Sequence, residues 1–210
     1  MMTYETGSAA LGLGFMLGLR HALDADHIAA VSTIVSESRS IWRSSLVGTS
    51  WGVGHTAALL AAGTAVTGLK LTIPPGLAYS IETVVGVMLI VLGARAVHTA
   101  WRGWKTDDAV QHRHVLAFGA RPFLVGLIHG LAGSAGLMIL VLSTITSVVA
   151  SFAYIVVFGL GSTAGMLLMS SLISVPFVWT ARRFRSWVHV LQMLVGAGSI
   201  LFGCVYGVAH

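Results

Sequence analysis

Phe15-Met16-Leu17-Gly18-Leu19-Arg20-His21-Ala22-Leu23-Asp24-Ala25-Asp26-His27-Ile28 puts five titratable side chains within eight positions (Arg20, His21, Asp24, Asp26 and His27) of an otherwise apolar run. That run extends over roughly residues 8–35, and about 20 apolar residues suffice to cross a bilayer as a helix. A charged side chain near the bilayer centre costs ~2.5–3.5 kcal/mol on insertion scales. The cluster therefore needs compensation, and a cation is the natural source of it.

Composition points the same way. The chain has 210 residues, of which 56% are hydrophobic and 9% charged, with a mean hydropathy of +0.87. A soluble domain carries about 25% charged residues. Six apolar runs read as membrane helices: roughly 8–35, 46–69, 77–98, 121–146, 149–180 and 187–208. They leave no room for a soluble domain, so residues 1–210 are expected to form one transmembrane domain. The first run has no basic leader and outlasts a signal-peptide core, so it reads as a span. Cys204, alone, has no internal disulfide partner.

The net charge of +5 reports topology rather than nucleic-acid binding. Arg39 and Arg43 follow the first run. Arg95, Arg102, Lys105, Arg113 and Arg121 surround the third connection, and Arg182, Arg183 and Arg185 occupy the fifth. The other side shows only Lys70. The positive-inside rule then places these connections in the cytoplasm and both termini outside. Trp101, Arg102 and Trp104 suit an anchor in the headgroup layer.

The chain also repeats itself. Phe15…Gly18-Leu19…His21…Leu23 matches Phe123…Gly126-Leu127…His129…Leu131; Gly52…Gly54-His55-Thr56-Ala57 matches Gly159…Gly161-Ser162-Thr163-Ala164; Glu82…Gly86…Gly93 matches Gln192…Gly196…Gly203. The matches keep their order at about half the chain length. Each unit holds three spans, an odd number, so the second unit enters the membrane from the opposite face. The expected fold is all-α and polytopic: six transmembrane helices in two inverted three-helix repeats, about 8–98 and 121–208, joined by a cytoplasmic loop, about 99–120. In transporters this architecture places the substrate near the midplane, at the repeat interface.

At roughly 100° per residue, His21, Asp24 and His27 share one arc of a regular helix and Asp26 faces away from it. For Asp26 to join them the helix must unwind, which is tolerated where backbone is buried in protein or lines a cavity. Arg20 stands at ion-pair spacing from Asp24. Imidazoles beside carboxylates, without a thiolate, suit a borderline divalent transition metal. A ligating histidine also needs its second nitrogen held, which Asp24 or Asp26 supplies within the motif.

Two more histidines fall in spans: His55, flanked by Gly52 and Gly54, and His129, the repeat mate of His21. For both, an interhelical hydrogen bond competes with a ligand role. Ser134, Ser162, Thr163 and Thr56 offer weaker oxygen contacts. Glu82 reads as an interfacial residue. His98, His112, His114, His189 and His210 read as loop or interface residues. The candidate metal residues are thus His21, Asp24, Asp26, His27, His55 and His129.

Arg20-His21-Ala22-Leu23-Asp24-Ala25-Asp26-His27-Ile28 resembles the signature of the nickel/cobalt transporter family. Gly52-x-Gly54-His55-Thr56 resembles that family's second histidine motif, and Leu127-Ile128-His129-Gly130-Leu131-Ala132-Gly133-Ser134 looks like its short, urease-accessory branch. The likeness covers most of the chain. It implies a role in metal selection and transport for His21, Asp26 and His27, and a related one for His55. Longer members have an extra leading span and an acidic Gly-Phe-Asp-Thr-Ala-Thr-Glu segment, replaced here by Ile128–Ser134.

The expected function is transport of Ni²⁺, with Co²⁺ as a second cargo, into the cytoplasm across the inner (plasma) membrane. The partners are the ion and the lipid bilayer, not nucleic acid, and a homo-oligomer stays open. No cofactor is expected to reside in the protein, and no phosphate-binding loop of the Gly-x4-Gly-Lys-Ser/Thr type is present. Two alternatives stand beside it. One is an exporter of small solutes or other metals, of the lysine-exporter-like group. The other is a membrane metalloenzyme, which needs an open coordination position and a base such as Asp24 or Glu82.

Overall fold

The computed structural model describes residues 4–68, 75–106, 119–132, 145 and 147–209, and among them every regular element is a helix. These are α1 (Tyr4–His21), α2 (Ala25–Ser36), α3 (Ile41–Thr67), α4 (Pro75–Thr106), α5 (Ala120–Ala132), α6 (Val148–Arg183) and α7 (Arg185–Ala209). The described residues of the six apolar runs are helical except at Ala22–Asp24, Gly68 and Ile145. Of the run at 121–146 only 121–132 and Ile145 are described, so Gly133 and Ser134 lie outside the described residues, as do His112, His114 and His210.

Among the described residues, three helical stretches are long and apolar enough to cross a membrane: Tyr79–Lys105, Val148–Arg183 and Ser186–Gly207. With 27 residues α3 has the length, but Ser44, Ser45, Thr49, Ser50, His55 and Thr56 dilute its apolar character. The first run is not one continuous span. It breaks at Ala22–Asp24 into α1 and α2, of 18 and 12 residues. The break is a tight turn: Leu23 N–H donates to the Arg20 carbonyl at 2.8 Å and Asp24 N–H to that of His21 at 3.1 Å. Asp24, with φ −62° and ψ 146°, is extended backbone that starts α2.

Close packing depends on glycine. A Cβ on Gly18 would fall on the carbonyl of Phe158, and one on Gly126 would fall on that of Trp51. Likewise Gly54 lies against the Phe123 carbonyl and Gly161 against that of Phe15. The paired positions of the sequence repeat therefore make the same contacts with the halves exchanged. As a result α1 lies on α6 just as α5 lies on α3. Gly86 faces Gly203 and Gly93 faces Gly196 along the α4–α7 seam. Where α3 crosses α6, Thr56 Oγ1 meets its own repeat mate, Thr163 Oγ1, at 3.2 Å. Such backbone proximity is what small residues allow at helix interfaces in lipid.

Two hydrogen bonds fix the short helices. Gly119, at φ +114°, is in the left-handed region that glycine adopts without penalty; its carbonyl accepts from Ser50 Oγ at 2.7 Å and ties the start of α5 to α3. Gln192 Nε2 on α7 donates to the Ser36 carbonyl at 2.7 Å and satisfies the end of α2. Gln192→Leu leaves that buried carbonyl unsatisfied and is expected to cost ~1–3 kcal/mol, read as a lower unfolding temperature in detergent. An unchanged temperature would remove Gln192 from the account of how α2 is held.

Candidate metal site

The break in the first run builds the site. His21 ends α1, and His27 lies in the first turn of α2, so both rings face inward although a continuous helix would separate Asp26 from them. Asp26 is buried alongside His27, with its carboxylate near the α2 N-terminus, where the helix dipole favours negative charge. The expectation that His21, Asp24 and His27 share one arc while Asp26 faces away holds only for an unbroken helix. Asp26 is inside, and the Asp24 side chain is 49% exposed.

α3 contributes His55 and, one turn earlier, Trp51. α5 contributes His129. All four histidines are buried, His55 and His129 completely. The ring of His21 lies 4.7 Å from that of His27 and 5.1 Å from that of His55, and His27 and His55 are 5.4 Å apart, centroid to centroid. One ligand atom from each of His21, His27 and His55 falls within 4.8 Å of the others, a spacing that can hold a metal ion. Asp24, Asp26 and His27 form a second such group, sharing His27. His129 stands behind it: its ring is 5.0 Å from that of His27, and its Nε2 is 3.8 Å from Asp26 Oδ2.

The carboxylates engage the rings directly. His21 Nδ1 lies 2.7 Å from Asp24 Oδ2, so Asp24 pairs with His21 rather than with Arg20 at the helical spacing. His27 Nδ1 is hydrogen-bonded to Asp26 Oδ1 at 3.1 Å. Meanwhile His27 Nε2 and both ring nitrogens of His55 have no hydrogen-bond partner among the described residues. Buried polar atoms are almost always paired, so a cluster of unpaired imidazole nitrogens facing one another is an arrangement suited to a cation.

Two aromatic walls escaped the sequence reading. Trp51 stacks on His27 at 5.5 Å and 14° and meets His129 edge-on at 5.4 Å. Phe158, its repeat mate, lies 5.6 Å from His21. The signal was available: Trp51 stands four residues before His55, on the same helical face. His189, read as an interface residue, is instead buried against Gly103. Ser162 and Thr163 sit at the α3–α6 crossing, and Ser162 is buried. Glu82 is half-buried on α4.

The chain is 37% identical over 204 residues to the urease accessory protein UreH of Bacillus sp. (strain TB-90), covering 93% of this chain and 89% of that protein. It is 29% and 28% identical to the Arabidopsis thaliana chloroplast proteins FOR GROWTH AND FERTILITY 2 and 1, in each case over 73% of this chain but 44% and 46% of theirs. No family model and no solved structure matches the chain.

Proposed function

We propose, since this chain belongs to the UreH-like branch of the nickel/cobalt transporter family, that it carries Ni²⁺ across the cell inner membrane into the cytoplasm, with Co²⁺ as a second cargo. The observation that carries this reading is the buried His21–His27–His55 group, whose ligand atoms lie within 4.8 Å of one another. Imidazole nitrogens suit nickel, cobalt and zinc better than magnesium or calcium. The candidate residues His21, Asp24, Asp26, His55 and His129 gather around His27, and their two carboxylates offset the charge of a divalent ion.

The six apolar runs form two inverted three-helix repeats with both termini outside, a topology supported by the basic connections and by the glycine contacts exchanged between the halves. The ion sheds water at the histidines between the repeats, and relative movement of the repeats then opens the site inward. Reconstituted into liposomes, the chain should accumulate ⁶³Ni²⁺ above protein-free vesicles. Excess Co²⁺ should compete and excess Mg²⁺ should not. Absence of both nickel accumulation and micromolar nickel binding would sink the reading.

Acid should weaken binding. A ligand imidazole must be neutral, so protons compete with the ion, and equilibrium Ni²⁺ affinity is expected to fall as the medium is made more acid than about pH 7.5. Affinity that rises toward pH 5.5 would contradict ligation by histidine.

A further inference from the structure

We propose that Asp26 is a positioning residue rather than a ligand: it holds the Nδ1 of His27, so that the ion meets the Nε2 of His27 together with ring nitrogens of His21 and His55. The assignment rests on the metal-transport reading above and specifies the chemistry of that site.

The distances carry it. Asp26 Oδ1 is hydrogen-bonded to His27 Nδ1 at 3.1 Å, whereas Asp24 Oδ2 lies 2.7 Å from His21 Nδ1 without a hydrogen bond to it. A neutral imidazole has one N–H and one lone pair. A carboxylate at Nδ1 takes the N–H, which fixes the tautomer and leaves the lone pair on Nε2. His27 Nε2 and both ring nitrogens of His21 and of His55 are buried and lack a hydrogen-bond partner among the described residues. The three rings form a nearly even triangle, with sides of 4.7, 5.1 and 5.4 Å between centroids. Ligation through Asp26 Oδ1 would withdraw the oxygen that restrains the His27 ring.

The break in the first run makes this economical. The Ala22–Asp24 turn swings Asp24 back onto His21, three residues before it, while the first turn of α2 sets Asp26 against its neighbour His27. The second oxygen of Asp26 points toward His129 Nε2 at 3.8 Å, so one carboxylate orients a ring of α2 and faces a ring of α5. The resulting shell offers nitrogen to the ion, with negative charge placed behind the rings. Such a shell selects nickel, cobalt and zinc over harder ions.

The test uses the purified full chain. With ¹⁵N-histidine and Zn²⁺ as a diamagnetic probe, His27 should show a protonated Nδ1 and a metal-shifted Nε2. With Ni²⁺, X-ray absorption of Asp26→Asn should keep the wild-type imidazole signature, with affinity lowered by about 10–100-fold, as for other residues that orient metal ligands. His21→Ala should lose one imidazole. Coordination of His27 through Nδ1 overturns the assignment, as does complete loss of Ni²⁺ binding in an Asp26→Asn variant that keeps wild-type helicity. The zinc spectra of the wild-type chain decide the matter even where a variant does not fold. A wild-type chain that binds neither ion strikes down the transport reading itself, whereas binding through Nδ1 strikes down only this assignment.

Discussion

His27→Ala is expected to lower ⁶³Ni²⁺ uptake into proteoliposomes by at least roughly 100-fold. Structural zinc sites bind with about 10–16 kcal/mol in total, so one ligand among three or four carries ~3–4 kcal/mol, and each 1.4 kcal/mol is tenfold in affinity. His27 holds more of the site than any other ring. It belongs to both ligand groups, stacks on Trp51 and pairs with Asp26. Its removal therefore also strands a buried carboxylate. Uptake by the variant at the wild-type rate, with equal protein in the vesicles, would show that nickel passes elsewhere.

The largest structural effect is expected from Gly126→Val. The new Cβ lands on the Trp51 carbonyl and beside Trp51 Cδ1, and the backbone atom has no rotamer by which to move aside. Overpacking ordinarily costs ~1–3 kcal/mol, and a clash between two helix backbones should exceed that. The displacement also reaches the site, because Trp51 stacks on His27 and borders His129. Expression should fall sharply and the unfolding temperature with it. Gly198→Val provides the contrast: no heavy atom lies within 4 Å of a Cβ there, so its stability should stay near that of wild type. Equal unfolding temperatures for the two variants would mean that the α3–α5 approach is not as tight as its geometry.

Much of the helical layout was legible because hydrophobic run length is a strong signal. The described residues of the six apolar runs are almost all helical, and the ordered matches around Gly18/Gly126 and Gly54/Gly161 anticipated contacts that recur with the halves exchanged. The position of Asp26 was not legible from periodicity alone. A fixed angle per residue presumes an unbroken helix, and nothing in Ala22-Leu23-Asp24 resembles an ordinary breaker such as proline or glycine. The turn there is stabilised by tertiary packing and by the Asp24–His21 contact, neither of which periodicity encodes. Arg20 was the obvious partner for Asp24 on spacing, yet His21 lies nearer across the turn. Trp51 was hidden for a different reason: a tryptophan in an apolar helix looks like packing until the ring it stacks on is known. The burial of His189 against Gly103 likewise depends on α4 and α7 meeting.

The break at Ala22–Asp24 divides the histidines by allegiance. His21 ends α1, which lies along α6, whereas His27 belongs to α2, which also touches α4 and α7. In the proposed site the ion is therefore held from both sides of a three-residue break, so a movement that carries α2 along with α4 and α7 would change the 4.7 Å between those rings and loosen the grip.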